Sequence, residues 1–535
     1  MSFEGYTLPP PSGGLDVVSP IDNMEPSTAL ELVNVFPGAG SPTVRLGYEE
    51  FCNTGNGVPI RFLQELRAKD GSIELIAADD DAIYSIDTAG TVTDITNPLF
   101  TTGYVSGAWA REIFANNIYL CNGVDDAQVY TGTGTASTLN ATGVTLADLV
   151  NVSQYRQRLY FTEIDTCKVW YPTNPGVVFT ATSTALNSYD FQYNFKRGGY
   201  LLFTATYTNQ TAQTSQDLFI ACSSEGELVF YHGTDPSDTT TPWEPVAHFI
   251  IGRPLGRKSY IRINQDIWIL TQQGIVPVSA LFQADPEQAL NVVSYRINPL
   301  ITQYATQVDL SEMWQGFFYP IGRRVYVTLP DTTTTATMLV YSIDNKAWTQ
   351  FVLYSGEHCI SSCQFNYLPY YGSTTGIIYK GETGYADAVD NNGDGQSIEY
   401  NIRTAFNFYN SRGNYKAFKD CRPIIKAKAG LTLNLGLDTD FKRQSILTSV
   451  TTPAALFTAW GARWGIAAGT LSPYPPYSPL TTYYQPWSSE VDYIFNRYAI
   501  AGQGHCAALR VGGSIKNSPC QFFGFEIRFA LGGQV

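Results

Sequence analysis

A repeated strand–turn–strand pattern constrains the fold of this chain more than any other feature. Between about residues 62 and 395, runs of aliphatic and aromatic residues end in short polar turns, and a further run follows each turn. Propeller blades repeat every ~40–50 residues and contain four antiparallel strands. The runs therefore predict successive blades, and seven of them centre on Ile83, Ile118, Leu159, Leu228, Ile267, Val325 and Ile377.

The turns between these runs have the chemistry of β-hairpins. Polar pairs or triplets occupy residues 79–81, 116–117, 157–158, 224–226, 265–266 and 322–324. Helical periodicity is nearly absent, and aromatic residues make up 14% of the chain, which favours sheets. We therefore expect an all-β protein built on a β-propeller of six to eight blades.

The strand signals divide the chain into three parts. Residues 1–61 carry few of them and form an N-terminal extension, with at most one short helix near 24–34 and a possible strand that closes the propeller. Residues 62–395 are the predicted propeller, and the widest gap in its pattern predicts a loop insertion near 178–216. Residues 396–535 alternate more strictly between apolar and polar positions, which predicts a β-sandwich-like C-terminal domain.

Charge and cysteine usage exclude several classes of protein. The net charge of −14 argues against conventional binding to nucleic acid or to anionic lipid. No secretory signal and no apolar run long enough to span a membrane is visible in the sequence. The nine cysteines are odd in number and widely spread, so we expect free thiols and assembly in a cytoplasm.

Candidate metal sites are weak. Asp390, Asn392 and Asp394 match the first half of a calcium-binding loop, but the position that requires glutamate is Asn401. A polar turn is the simpler interpretation. Cys359 and Cys363 follow a histidine but lack the second ligand pair of a zinc site. We predict no metal and no cofactor.

Catalytic motifs are also missing from the sequence. Neither a nucleophile elbow nor a phosphate-binding loop occurs. The adjacent carboxylates at 79–81 and 125–126 fall in predicted turns and do not form the facing pair of a glycosidase. We therefore expect a protein that is not an enzyme.

An ordered series of motifs lies at residues 13–20, 29–30, 34–37, 45–48, 254–259, 266–277, 338–348, 525–529 and 532–533. In this order the motifs resemble those of the tail hub or nozzle proteins of short-tailed bacteriophages, which are also called packaged-DNA stabilisation proteins. The resemblance spans most of the chain.

This resemblance implies a structural virion protein with a propeller body. Six copies would form a tube below the portal and adaptor rings, assembled in the cytoplasm of the bacterial host. The tube would extend the DNA channel, help to retain the packaged genome and conduct it at ejection. Its partners would be the adaptor or portal-side tail protein, a tail fibre or spike, and genomic DNA in transient, non-specific contact with an acidic lumen. The family brings no catalytic residues.

Two segments are candidates for contacts in such a tube. The aromatic residues of a Pro- and Tyr-rich stretch are tip or interface candidates, namely Tyr474, Tyr477, Tyr483, Tyr484 and Trp487. Arg197, Gly198 and Gly199 are candidates for a loop that narrows the channel.

The sequence features also fit two other functions. The first is a carbohydrate-binding or depolymerase propeller, acting as a receptor-binding tail subunit that uses exposed tyrosine and tryptophan. The second is a cellular scaffold propeller with a protein partner.

Overall fold

The N-terminal region contributes strands to both parts of the fold. The computed structural model describes residues 3–38, 40–68, 70–97, 110–210, 215–238, 242–283, 293–307, 314–329, 336–354, 359–390, 392–428, 431–444, 448–451, 491–494 and 496–534. The first six strands are β1 (Phe3–Leu8), β2 (Gly14–Leu15), β3 (Thr28–Val33), β4 (Val35–Phe36), β5 (Thr43–Val44) and β6 (Tyr48–Asn53).

The first three blades follow as antiparallel sheets in sequence order. Blade 1 contains β7 (Phe62–Arg67), β8 (Ile73–Ala78), β9 (Ile83–Ile86) and β10 (Val92–Asp94). Blade 2 contains β11 (Ala110–Phe114), β12 (Asn117–Cys121), β13 (Gln128–Tyr130) and β14 (Ser137–Thr138). Next come β15 (Ala141–Thr142), a 3₁₀ turn (Leu146–Asp148) and blade 3, with β16 (Leu149–Tyr155), β17 (Arg158–Glu163), β18 (Lys168–Pro172) and β19 (Thr184–Asp190). Strand β15 extends blade 3 by pairing in parallel with β19.

Blades 4 and 5 differ in strand length and number. After a 3₁₀ turn (Gln192–Asn194), blade 4 contains β20 (Leu201–Gln210), β21 (Ser215–Ser223), β22 (Glu227–His232) and β23 (Glu244–Ile250). Blade 5 has three strands, β24 (Tyr260–Ile263), β25 (Asp266–Thr271) and β26 (Gly274–Pro277). It is followed by the helix α1 (Val278–Gln283), a 3₁₀ turn (Tyr295–Ile297) and the helix α2 (Asn298–Gln307).

The last two blades each receive a strand from the N-terminal region. Blade 6 contains β27 (Gln315–Tyr319), β28 (Arg324–Thr328), β29 (Thr337–Ser342) and β30 (Ala347–Val352), and β3 lies beside β30. Blade 7 contains β31 (Cys359–Phe365), β32 (Leu368–Ser373) and β33 (Ile377–Gly381), and β6 is its outer strand.

These seven blades form a closed ring in the described part of the chain, which confirms the predicted β-propeller. The first strand of each blade is the innermost, and β31 of blade 7 contacts β7 of blade 1. Separate apolar clusters fill the interfaces between successive blades. Burying apolar surface between blades in this way provides the main stabilisation of the ring.

The C-terminal region is a two-layered β-sandwich. Its strands are β34 (Ile398–Thr404), β35 (Asn414–Lys428), β36 (Thr432–Thr439), β37 (Thr448–Thr451), β38 (Val491–Ile494), β39 (Tyr498–Gly504), β40 (Ala507–Ile515) and β41 (Cys520–Gln534). One layer joins β35, β38, β39 and β41 to β1, β4 and β5, and the other joins β34, β36, β37 and β40 to β2 and β3. Inward-facing residues of the two layers share one core, for example Ile527 and Val511.

Two predictions about organisation are wrong. The segment near 24–34 contains the strand β3 because its backbone pairs with β34 on one side and reaches β30 on the other. The segment 178–216 is not a loop insertion, since it contains β19 and the long inner strand β20. Within the N-terminal extension, β6 pairs with β33 as the outer strand of blade 7, which is the place of the predicted closing strand, whereas β1 to β5 belong mainly to the sandwich.

Candidate functional site

The axis of the propeller contains two adjoining cavities of very different size between the innermost strands. The first has a volume of about 50 Å³ and lies where the inner strands begin, beside Phe62, Arg257 and Lys258. The second has a volume of about 580 Å³ and lies towards the ends of those strands, beside Arg67 and Phe318. Residues shared by the two cavities are Arg111, Tyr260 and Gly316.

An ion pair crosses the axis within the second cavity. Arg262 on the inner strand of blade 5 donates hydrogen bonds of 3.1 and 2.7 Å to the two carboxylate oxygens of Glu112, on the inner strand of blade 2. The charge of Glu112 raises the pKa of Arg262 further above its already high usual value. Because blades 2 and 5 face each other across the ring, this pair obstructs the passage along the axis.

The first cavity has a strongly cationic wall. Arg111, Arg257 and Lys258 line it, and no aspartate or glutamate is among its lining residues in the part of the chain that the structure describes. Desolvation, followed by the charges of Arg111 and Arg61, lowers the pKa of Lys258 to about 7. Desolvation also lowers the pKa of Arg111. Positive charge therefore accumulates here in a chain whose net charge is −14.

A buried polar network forms a joint between the propeller and the sandwich. The guanidinium of Arg45 donates to both carboxylate oxygens of Asp387, at 2.7 and 2.5 Å, and its Nε donates to Oδ1 of Asn34 at 2.8 Å. The Nδ2 of Asn34 donates to the carbonyl oxygens of Val352 in blade 6 and Glu399 in the sandwich. One asparagine thus hydrogen-bonds to both parts of the molecule.

Close contacts to blade 6 extend this joint. The Nδ2 of Asn345 donates to the carbonyl oxygens of Pro37 and Gly38, each at 2.9 Å. Gly14 has a φ of +75°, and a β-carbon there would lie 2.6 Å from the carbonyl oxygen of Trp348. Such a position is best suited to glycine. The motif segments 13–20, 34–37, 45–48 and 338–348 therefore meet at this joint.

The weak calcium candidate at Asp390, Asn392 and Asp394 is a hydrogen-bonded turn in the structure. Oδ1 of Asp390 accepts from the backbone N–H groups of Asn392 and Asp394, both within 3 Å. These bonds, led by that of Asp394, lower the pKa of the Asp390 carboxyl. Its oxygens are thus engaged by amides, and the described residues contain no group of three side chains that could hold a metal ion.

The predicted channel loop lies away from the propeller axis. The backbone N–H of Arg197 donates to the buried carboxylate of Glu227 at 2.8 Å, and the carbonyl of Gly199 faces the thiol of Cys167. Neither Arg197 nor its two glycines line the axial cavities described above. Glu227 anchors the segment beside blade 4, and its role as a loop that narrows the channel of a hexameric tube stays a prediction. The tip candidates Tyr474, Tyr477, Tyr483, Tyr484 and Trp487 lie outside the described residues.

Cys359 and Cys363 are structural. They lie on β31 and belong to two different apolar clusters, one on each side of blade 7. Burial raises the pKa of both thiols well above the usual value. All nine cysteines are free, and eight of them are buried.

The sequence pattern does not reveal the cationic cavity, because its residues come from different blades. Arg111 precedes the hairpin turn at 116–117, and Arg257 and Lys258 occupy the connection before β24. Two adjacent charged residues within a short inner strand are the available signal, and Arg111 and Glu112 in the segment Ala110–Phe114 provide it.

Comparisons with known proteins identify neither a family nor a function for this chain. No protein-family model and no curated protein matches the chain. Among solved structures, virginiamycin B lyase from Staphylococcus aureus is similar at 10% identity and a TM-score of 0.39, over 61% of this chain and 96% of that one. YCF48 from Cyanidioschyzon merolae gives 10% identity and a TM-score of 0.37, over 64% and 98%. The WD40 β-propeller domain of Doa1 gives 12% identity and a TM-score of 0.37, over 62% and 96%. The assignment of a propeller rests on the sheets of this chain.

In the portion that the structure covers, no helix has the length and apolar character needed to cross a membrane.

Proposed function

We propose that this chain is a structural virion protein, the nozzle or hub of a short bacteriophage tail, and that it functions as a homo-hexamer without catalytic activity. The observation that carries the proposal is the convergence of four family-like motifs at the joint between propeller and sandwich. These motifs are far apart in the sequence, yet their residues form one contact network through Asn34, Arg45 and Asn345. A common role in fixing the propeller to the sandwich explains why motifs so far apart in the sequence meet at one joint.

A rigid joint suits a ring of identical subunits. In a cyclic hexamer each copy contacts its neighbours through two different surfaces, and the ring closes only when these surfaces keep a fixed angle. The sheet that continues from blade 6 through β3 into the sandwich supports a fixed angle of this kind.

In this proposal the DNA path lies between the six copies. In the described part of the chain, the axis of a single propeller holds cavities of about 50 and 580 Å³ and is crossed by the Arg262–Glu112 pair. A lumen enclosed by acidic subunits would repel DNA phosphates and allow the genome to slide through. Retention and conduction of the genome are then properties of the assembly.

The test is the state of assembly of the full-length chain. Native mass spectrometry and electron-microscope images would be recorded for the protein alone and after mixing with portal–adaptor complexes of the phage. We expect a sixfold ring with an open lumen in at least one condition. A chain that stays monomeric in both conditions would overturn the proposal, and binding or cleavage of a polysaccharide by that monomer would support the carbohydrate alternative.

Two asparagine variants test whether the joint contributes to assembly of the ring. Asn345→Ala removes the hydrogen bonds to Pro37 and Gly38, so we expect weaker ring formation. Asn187→Ala is the matched control, because its side chain lies on the exposed edge of blade 3 and makes one bond, to Thr173. Equal assembly by folded samples of both variants would contradict a role for the joint in assembly.

A further inference from the structure

A polar cleft lies where the sandwich meets blade 6, and its floor is the outer face of three sandwich strands. The cleft has a volume of about 560 Å³, which is within the range of small-molecule sites. The strands β34, β40 and β36 are consecutive in their sheet, and each has a paired neighbour on both sides. Residues 352–354, at the end of blade 6, complete the lining. Because the backbone groups of the floor are already paired, recognition in this cleft depends on side chains.

Two rows of polar positions cross the floor of the cleft. Glu399 of β34 lies opposite Ser514 of β40, and Asn401 of β34 lies opposite Gly512 of β40. On its other side, Gly512 lies opposite Asn434 of β36. Core residues alternate with these positions along the three strands, so the side chains of the two rows face the cleft.

Gly512 is a glycine that neither the backbone nor the packing requires. A β-carbon at Gly512 would meet its nearest neighbour, the carbonyl oxygen of Tyr400, at 3.4 Å, which is an ordinary contact. Its φ is not positive, and its pairing is regular on both sides, so no bulge accounts for it. At the adjacent Gly513, by contrast, a β-carbon would lie 2.7 Å from the hydroxyl of Tyr400. A strand glycine without such a local cause indicates a place where a ligand approaches the sheet closely.

Polar groups around Gly512 keep hydrogen-bonding capacity. Within the described part of the chain, the carboxylate of Glu399 and the side-chain amide of Asn434 have no hydrogen-bond partner. The Nδ2 of Asn401 donates to a carboxylate, whereas its Oδ1 lies 3.7 Å from the place of a β-carbon at Gly512. The Nε of Arg510, which also lines the cleft, is buried and has no partner among the described residues. Donors and acceptors therefore surround one open floor.

The charges and the position of the floor disfavour two other classes of ligand. Asp387 is paired with Arg45, and Arg510 lies 3.9 Å from Asp438, so Glu399 is the charged group of the lining that keeps its charge available. Its carboxylate would repel the phosphates of a nucleotide. A peptide that binds as an added strand needs a free sheet edge, and the middle of this sheet offers none. A sugar hydroxyl both donates and accepts hydrogen bonds, which suits neighbouring carboxylate and amide groups.

We propose that this cleft binds a neutral saccharide above Gly512. Glu399 accepts hydrogen bonds from its hydroxyls, Asn434 donates and accepts, and the half-exposed ring of Tyr354 packs against its C–H face. The site goes beyond the proposed tail function, because it needs only one folded chain and no assembly.

Saturation-transfer NMR and NMR titration of the full-length protein test for binding. The probes are glucose, galactose, mannose, N-acetylglucosamine, maltose and lactose. Trialanine and inorganic phosphate represent peptide and anionic ligands. We expect at least one of the sugars to bind with a Kd in the millimolar range or tighter, and we expect neither trialanine nor phosphate to displace it.

Gly512→Ala is the sharpest variant, because it raises the floor without disturbing the strand. The added methyl group would take the place of the sugar, so we expect the affinity for the sugar to fall about tenfold or more. The Tm should be at least that of the wild type, since alanine suits the middle of a strand better than glycine does. Gly413→Ala is the matched control, because a β-carbon there has nothing within 4 Å and Gly413 lies outside the cleft.

Two polar variants assign the hydrogen bonds. Glu399→Gln and Asn434→Ala should each weaken sugar binding about threefold or more, because each removes a hydrogen-bonding group from the floor. Both side chains lie on the outer face of the sheet, so both variants should keep the Tm of the wild type within a few degrees.

Several outcomes would overturn the site. One is the absence of saturation transfer to all of these sugars. Another is equal sugar affinity for the wild type and folded Gly512→Ala, which would place the sugar elsewhere. Displacement of the sugar by trialanine would identify a peptide site. Loss of ring assembly in Gly512→Ala without any sugar binding would identify a contact between copies.

These results are separable from those on the tail function. A sixfold ring that binds no sugar would overturn this site alone. A monomer that never assembles but binds sugar, and loses that binding in Gly512→Ala, would confirm the site and overturn the ring.

Discussion

Arg45 and Asp387 form a buried ion pair with two hydrogen bonds although they lie 342 residues apart in the sequence. Arg45 precedes β6 and Asp387 follows β33, so the pair lies beside the two strands that complete blade 7. The exposed fraction of each side chain is only 3%. The pair thus connects closure of the propeller with its attachment to the sandwich.

Asp387→Asn should destabilise the chain strongly. The substitution keeps the shape of the side chain but leaves the buried Arg45 charge without its carboxylate, which costs about 3–5 kcal/mol in comparable cases. The measurement is the free energy of unfolding from urea titrations. Asp344→Asn is the control, because Asp344 and Arg323 form an exposed pair that should contribute less than about 1 kcal/mol. An equal decrease in the free energy of unfolding for the two variants would show that the buried pair stabilises the fold no more than the exposed pair does.

Gly14→Ala should lower the free energy of unfolding by more than the backbone conformation of Gly14 alone explains. A β-carbon at Gly14 would lie 2.6 Å from the carbonyl oxygen of Trp348 and 2.8 Å from Cβ of Ala347. Gly134 has nearly the same φ, +74°, with open space around it, so Gly134→Ala reports the conformational cost of about 1 kcal/mol. We expect Gly14→Ala to exceed that control by at least about 1 kcal/mol in urea unfolding. Indistinguishable values would show that the joint can relax around the added methyl group.

The cross-axis ion pair should show a measurable coupling energy. A double-mutant cycle of Arg262→Gln and Glu112→Gln isolates the interaction of the two side chains. Arg262 is 45% exposed, so solvent screening reduces the expected coupling to about 1 kcal/mol. The coupling should decrease when salt is added, since mobile ions screen the exposed side of the pair. A coupling of zero in unfolding measurements at low salt would mean that the pair does not hold blades 2 and 5 together.

Because of the titration of Lys258, the free energy of unfolding should increase with pH just above neutrality. Its pKa is lowered to about 7 in the folded chain from 10.5 in the reference state. Between these values the unfolded chain binds one more proton at this site, so the free energy of unfolding increases with pH. Lys258→Met should remove this increase, whereas Arg253→Met should retain it.

The window for this comparison is pH 7 to 8.5. It lies below the usual pKa values of 9.0 for cysteine and 10.0 for tyrosine, whose own titration opposes the effect at higher pH. Parallel pH profiles of the wild type and Lys258→Met would contradict the assignment.

The seven predicted strand runs each fall in a different blade, which explains why the propeller could be inferred from sequence. Their uneven spacing has a simple cause. Leu159 lies on β17, the second strand of blade 3, whereas Leu228 lies on β22, the third strand of blade 4. The long gap between them therefore contains strands of blades 3 and 4. Its length alone led to the prediction of an insertion, and that prediction is wrong. Alternation of apolar residues identifies a strand, but it does not show whether that strand is the first, second, third or fourth of its blade.

The pairing of the N-terminal strands could not be predicted in the same way. Val33 pairs with Asn401 and approaches Gln350, and both partners are distant in sequence. Short strands such as Gly14–Leu15 have no periodicity of their own and exist because neighbouring backbone groups complete their hydrogen bonds. The cationic cavity depends on the same long-range geometry, since Arg111 and Lys258 meet only when the ring closes.

The position of β6 has a consequence for the order of events during synthesis. The strand leaves the ribosome early, but its partner β33 is made only after six blades have been translated. Until then β6 has an unpaired edge, and the ring of blades cannot close. Vectorial folding of this chain must therefore include a late docking step in which β6 joins β33. A chain released before that step would expose open strand edges, which are the sites at which β-proteins aggregate.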